Sequence, residues 1–114
     1  MATLRVGVLP EAALAAAAQF HGAVLPEVRA ALAASPPPLA LIFPPADHTH
    51  RAWRLAAVQA LAREFAPVRV NALASDSEKA IAAALSYLET AEGVTGQLLE
   101  LDDTGAGEVL SCAT

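Results

Sequence analysis

The chain has 114 residues, which suits one small domain, and its formal net charge is −5. This acidic balance argues against a nucleic-acid partner, which requires a basic face. Apolar residues make up 55% of the chain and charged residues only 17%, whereas soluble domains carry about 25% charged residues. We therefore expect another protein chain to cover part of the surface.

Cysteine usage and the first residues bear on the cellular compartment. Cys112 is the single cysteine and cannot form an internal disulfide, so we expect a reducing, cytoplasmic environment. No secretory signal pattern precedes the first apolar segment. The alanine-rich run 12–18 is far shorter than the roughly 20 residues that span a bilayer. We expect no membrane association.

The first half of the chain predicts two strands around a long helix. Residues 3–9 are short, branched and apolar, which is typical of a strand. Residues 11–34 are rich in alanine and predict a helix, kinked near Pro26 or divided into two segments that meet near residues 22–25. The apolar run 39–43 lies between prolines and predicts a central parallel strand that is buried on both faces.

The second half repeats the alternation of helix and strand. A helix is predicted over 47–66, a strand over 68–74, a helix over 75–92 and a strand over 95–101. Ser75 and Glu78 have the spacing of a capping box for the last helix. The order β-α-β-α-β-α-β predicts an α/β domain with a four-stranded parallel sheet over 1–102, followed by a tail over 103–114.

The helix predicted over 47–66 carries two apolar faces. One face has large side chains that suit packing on the sheet, namely Leu55, Val58, Leu61 and Phe65. The other has the residues that we take as a candidate interface: Trp53, Ala56, Ala57 and Ala60. Small residues allow helices to approach closely, and tryptophan is a common interface anchor. Alternatively, Trp53 packs on the first helix within the same chain.

The densest polar cluster is Asp47, His48, Thr49, His50 and Arg51. It follows the carboxyl end of a predicted buried strand, where open α/β sheets place ligands. The cluster could bind a divalent metal, or it could hold an anion or small polar ligand through His48, His50, Arg51 and the start of the helix. The interpretation that we favour is simpler: Asp47 caps the helix and its neighbours are solvated.

Several stretches of the second half resemble the short-chain dehydrogenase/reductase family. The resemblance is carried by Leu61–Pro67 with Val68–Ala72, then by Ala80–Leu88, and finally by Val94–Asp102. It implies a Rossmann-like, three-layer fold that corresponds to strands four to seven of that family's sheet, with the first half absent. It also implies that helix 75–92 lies on the face opposite the other helices, through a left-handed crossover, and that helices 11–34 and 47–66 build a subunit interface.

The motifs of the family that carry chemistry are not found at the matching positions. No glycine-rich G-x-G-x-x-G turn occurs, so no phosphate-binding helix start is predicted and we expect no cofactor. The family's Tyr-x-x-x-Lys pair corresponds to Asp47 and Arg51. Its serine falls near Pro44 and Pro45, and its helix asparagine near Ala13.

These departures suggest a truncated fold that is kept while the active site is lost. Our leading hypothesis is a non-catalytic protein that works as an assembly, either a homodimer or higher homo-oligomer, or a companion subunit of a full-length relative. The unpaired edge of the first strand favours such pairing. The alternative is a small-molecule or anion binder, or a reduced enzyme, that uses the cluster Asp47–Arg51.

Overall fold

The computed structural model of the protein describes residues 1–34 and 38–101. The predicted tail 103–114, with Cys112, lies outside these residues. In chain order the elements are β1 (Ala2–Arg5), α1 (Ala13–Gln19), a π-helical turn (Phe20–Val24), α2 (Leu25–Ala34), β2 (Leu39–Phe43), a 3-10 turn (His48–His50), α3 (Arg51–Glu64), β3 (Val70–Ala74), α4 (Glu78–Thr90) and β4 (Leu98–Glu100).

The four strands form one parallel sheet in the order β1-β2-β3-β4, as the sequence predicts. In the register of the sheet, Leu41 lies between Leu4 of β1 and Ala72 of β3. All five residues of β2 and all five of β3 are buried. Both faces of these strands therefore need cover, and this need makes the fold a three-layer sandwich.

The two faces of the sheet have separate hydrophobic cores. On one face, Phe20, Val28 and Val58 pack with Leu41 and Phe43, which joins the π-helical turn, α2 and α3 to the sheet. On the other face, α4 places its buried residues against β2 and β3: Ile81, Ala84 and Leu88 against Ile42 and Leu73.

The position of α4 sets the hand of the last crossover. The strands lie in the sheet in their chain order, so every crossover advances in the same direction across the sheet. A helix on the opposite face therefore gives the last crossover the opposite hand to the two before it. The unusual crossover that the family resemblance implies is therefore present, although parallel crossovers of one hand dominate among folds.

The two outer strands are shorter than predicted. The strand predicted over 3–9 ends at Arg5, apart from one further hydrogen bond of 2.8 Å from the Val6 amide to the Ile42 carbonyl. The strand predicted over 95–101 covers only Leu98–Glu100. An edge strand has a ladder partner on one side only, and here β1 ends one residue before β2 does while β4 begins opposite Ala72 of β3. Propensity does not reveal where such pairing stops. The strand predicted over 68–74 begins at Val70, two residues late.

The long first helix is divided, as one of the two predicted alternatives has it. α1 and α2 meet across the π-helical turn Phe20–Val24, immediately before Pro26. Proline has no backbone N–H, so the regular hydrogen-bond pattern cannot continue through it. The start of the helix is also later than predicted, because α1 begins at Ala13 and not at residue 11.

The remaining two helices are shorter at both ends than predicted. The helix predicted over 47–66 begins as a 3-10 turn, becomes α-helical at Arg51 and ends at Glu64. The helix predicted over 75–92 covers Glu78–Thr90. Its cap is Ser77, whose Oγ accepts from the Ala80 amide at 3.2 Å, whereas the Ser75 Oγ accepts from the Ser77 amide at 3.0 Å. The predicted capping box of Ser75 and Glu78 is therefore wrong by two residues.

A buried asparagine holds the connection between β3 and β4. The Asn71 side-chain amide donates to the Val94 carbonyl and its oxygen accepts from the Gln97 amide, both at 3.0 Å. Between these two partners the chain turns at Gly96, whose φ of 71° lies in the left-handed region. Glycine adopts that conformation at no steric cost. Asn71 and Gly96 together determine where β4 begins.

We predict that Asn71→Ala lowers the free energy of unfolding by about 1–3 kcal/mol, because it leaves a buried amide and a carbonyl without partners. Urea unfolding followed by circular dichroism measures the change. Ser86→Ala, an exposed position on α4, is the control and should change stability by less than about 0.5 kcal/mol. Equal effects of the two substitutions would contradict the structural role of Asn71.

Candidate functional site

A cleft of about 370 Å³ opens where β1 and β2 end. The chain leaves β1 through a segment that ends at Glu11 and leaves β2 through Pro44 and Pro45, and these segments form opposite walls. Prolines cannot extend the hydrogen-bond ladder, so the two walls separate from the sheet there. The cleft is lined by Val8, Leu9, Pro10, Glu11, Pro44, Pro45, Ala46, Asp47, His50 and Arg54.

The polar cluster predicted from the sequence does not converge on this cleft. Asp47 and His50 line it, but His48 is exposed and is not among the lining residues. Arg51 is engaged elsewhere, since its Nε lies 3.1 Å from a carboxylate oxygen of Glu100 on β4. Residues that are adjacent in sequence point in different directions here, because a helical turn rotates each residue by about 100°.

Asp47 serves as the helix cap that the sequence predicts. Its Oδ1 accepts from the Thr49 amide at 2.9 Å and also from the Thr49 hydroxyl. These hydrogen bonds to the charged form lower the pKa of the Asp47 carboxyl, and the nearby histidines act weakly in the same direction. The cleft therefore has a carboxylate at its margin.

His50 is a structural residue with both ring nitrogens occupied. Its side chain is 5% exposed, its Nε2 lies 2.8 Å from the Glu11 carbonyl oxygen, and its Nδ1 lies 3.1 Å from the indole nitrogen of Trp53. The indole N–H can only donate, so Nδ1 accepts and Nε2 carries the proton donated to Glu11. This pattern leaves no lone pair of His50 for a metal or a ligand.

Trp53 is partly buried and contacts other aromatic side chains within the chain. Its ring centroid lies 5.5 Å from that of Phe20 and 5.8 Å from that of Phe43. Ala57 is also buried within the chain's own core and adds no exposed surface to the predicted interface. Ala56 and Ala60 are exposed, and their contact with a partner stays a prediction.

Arg54 is the residue of the cleft that sequence reasoning missed. It is only 4% exposed, its Nη1 donates to the Pro44 carbonyl at 2.9 Å, and its guanidinium carbon lies 4.5 Å from the ring centroid of Phe43. Its Nε is buried without a hydrogen-bond partner among the described residues. Burial lowers the pKa of the guanidinium, although nearby Glu100 acts in the opposite direction.

A signal for Arg54 was present in the sequence. Arg54 precedes Val58 by four residues and Leu61 by seven, so it lies on the same helical face as the large residues that pack on the sheet. A charged residue in such a stripe is rarely fully buried unless it has a partner.

A smaller cleft lies on the α4 side of the same sheet edge and contains its own ion pair. Arg5 donates from both terminal nitrogens to the carboxylate of Glu78, at 2.9 and 2.8 Å. These hydrogen bonds lower the pKa of Glu78. The two charges neutralise each other. Within residues 1–34 and 38–101, no group of three or more His, Cys, Asp and Glu side chains could hold a metal ion.

The fold and site define an α/β protein of the Rossmann-like type whose ligand-facing edge lies at the carboxyl ends of its strands. A family model described as "Short chain dehydrogenase-like protein" matches residues 4–101, and the chain belongs to that family. Comparison with curated proteins and with solved structures gives no significant match. None of the helices in the described part of the chain combines the length and apolar character needed to cross a bilayer.

We predict that His50→Ala lowers the free energy of unfolding by about 2–4 kcal/mol, because it removes a buried ring and leaves the Trp53 N–H and the Glu11 carbonyl unpaired. The exposed neighbour His48 provides the matched control, and His48→Ala should cost less than about 0.5 kcal/mol. Chemical denaturation followed by Trp53 fluorescence measures both. Similar losses of stability at the two positions would contradict the structural role of His50.

The low pKa of Asp47 predicts a pH dependence. Because the folded pKa lies below the unfolded value of about 4, ionised Asp47 contributes stability above that pH. The contribution is lost as pH falls through the folded pKa. Asp47→Asn keeps the acceptor but not the charge, so the stability difference between wild type and variant should be constant near neutrality and should change below about pH 4. Parallel stability curves between acid and neutral pH would contradict this.

Proposed function

We propose that this protein is a non-catalytic member of its family that acts as a subunit of an assembly, as a homodimer or higher homo-oligomer or as the companion of a full-length relative. The observation that carries the proposal is the outward surface of α1 and α3, which we call the outer helix face. It is defined by Leu14, Ala15, Ala18, Ala52, Ala56 and Ala60, all of them exposed.

The outer helix face is apolar. Leu14, in the first turn of α1, is 85% exposed, which is unusual for a large apolar side chain. On α3 the three alanines recur every four residues and therefore form one continuous stripe. Small side chains allow another helix to approach closely, so the surface suits helix packing better than solvent exposure.

The sheet edge gives a second reason for a partner. β1 pairs with β2 on one side, and no strand among the described residues pairs with its other side. An open edge presents unpaired backbone groups that natural proteins usually cover.

Two-fold pairing of the outer helix face would bury α1 and α3 of both copies in a four-helix contact, which is the usual geometry of a closed dimer.

The residues at the ligand-facing edge support a role without dehydrogenase chemistry. The only tyrosine of the chain, Tyr87, lies on α4, on the face of the sheet opposite α3. Asp47 stands where the family's tyrosine would be, and a carboxyl with a lowered pKa is ionised at neutral pH and has no proton to donate. The single cysteine of the chain suits a reducing compartment such as the cytoplasm.

We predict that Leu14→Glu and Ala56→Arg each dissociate the assembly, because they place a charge in an apolar contact. Light scattering coupled to size exclusion, at micromolar concentrations, measures the mass. Ala83→Arg makes the same change at an exposed position on α4, on the opposite side of the sheet, and should leave the mass unchanged. A wild-type monomer at these concentrations would overturn self-association.

A further inference from the structure

A buried cation without an ionic partner stands out in the cleft between β1 and β2. Arg54 is 4% exposed, and none of the ion pairs formed among the described residues includes it. Glu100, whose charge acts on Arg54, is already paired with Arg51 at 3.1 Å. Burial of an unpaired charge is costly, so the position favours an anion that supplies the missing charge.

The contacts that Arg54 makes leave one buried donor of its guanidinium without a hydrogen-bond partner. Nη1 is used by the Pro44 carbonyl, and one face of the group lies against Phe43. Nε has no partner among the described residues. A guanidinium binds a carboxylate best through two parallel N–H donors on one edge. The edge that includes Nε has two such donors.

The walls of the cleft indicate what the rest of the ligand looks like. Six of the ten lining residues are apolar: Val8, Leu9, Pro10, Pro44, Pro45 and Ala46. Val8 is 90% exposed at the rim of the cleft, so a ligand in the cleft would bury part of its apolar side chain. The volume of about 370 Å³ is near the lower end of the range found for small-molecule sites.

The acidic residues of the cleft restrict the charge of the ligand. Glu11 and Asp47 also line it, and the lowered pKa of Asp47 keeps that carboxylate ionised at neutral pH. A phosphate with two negative charges would meet repulsion from both, whereas a single carboxylate can reach Arg54 with less. His50 cannot assist, because both of its ring nitrogens are occupied within the chain.

We propose that this cleft binds a small organic monocarboxylate with an apolar body, whose carboxylate pairs with Arg54 while its hydrocarbon part contacts the proline-rich walls. The proposal does not depend on the assembly proposed above, since none of the outer helix face residues lines the cleft. It also differs from the cluster that the sequence suggested, because Arg54 replaces His48, His50 and Arg51 as the residue that holds the anion.

Titration with sodium butyrate and sodium hexanoate tests the proposal. The expected result is a saturable shift of the Arg54 Nε–H resonance in nitrogen–proton correlation spectra, together with a higher melting temperature. Hexanoate should bind more tightly than butyrate because it buries more hydrocarbon. Hexanol and hexylamine, which match the chain length without the carboxylate, should have no saturable effect at the same concentrations.

Two substitutions test whether the carboxylate of the ligand pairs with Arg54. Arg54→Met keeps most of the side-chain volume and should reduce hexanoate affinity by about tenfold or more, which is the expected size for loss of a charged hydrogen-bonded partner. Arg63→Met removes the same charge from an exposed position on α3 outside the cleft and should change affinity less than twofold. If Arg54→Met does not fold, the response of the Arg54 Nε–H resonance in the wild-type protein decides the question.

The proposal fails in three ways that can be distinguished. An Arg54 resonance that does not respond to hexanoate would show that the cation binds no carboxylate. Equal affinity in wild type and Arg54→Met would place any binding elsewhere. Tighter binding of inorganic phosphate than of butyrate would overturn the ligand class.

Discussion

Burial of the central strands on both faces is the constraint on which the rest of the structure depends. β2 and β3 expose none of their residues, so each face of the sheet needs a helical layer. α2 and α3 cover one face and α4 covers the other, which gives two separate cores. The last crossover has the opposite hand because α4 must cover the face that the earlier helices leave open.

The same constraint creates the cleft. A parallel sheet sends every chain out at the carboxyl ends of its strands, where backbone pairing stops and the connections separate. Here prolines hold the walls apart, and Arg54 reaches the opening from the buried face of α3. The outcome is a cation in an apolar setting, balanced by one carbonyl and the face of an aromatic ring instead of a carboxylate.

The chain belongs to the short chain dehydrogenase-like family and has a parallel sheet with helices on both faces. Asp47 caps a helical turn and Arg51 pairs with Glu100, so both residues have structural partners. Our two proposals rest on the outer helix face and on Arg54.

The sequence by itself determined the fold class, the number and order of elements and the limits of β2, because periodicity, prolines and burial of apolar residues act locally. It also placed Asp47 as a cap. It did not determine the ends of β1 and β4, which depend on where pairing with a single neighbouring strand stops. Nor did it find Arg54, Glu11 and Pro44 as parts of one site, since residues far apart in the chain meet only after the sheet has formed and the walls have packed.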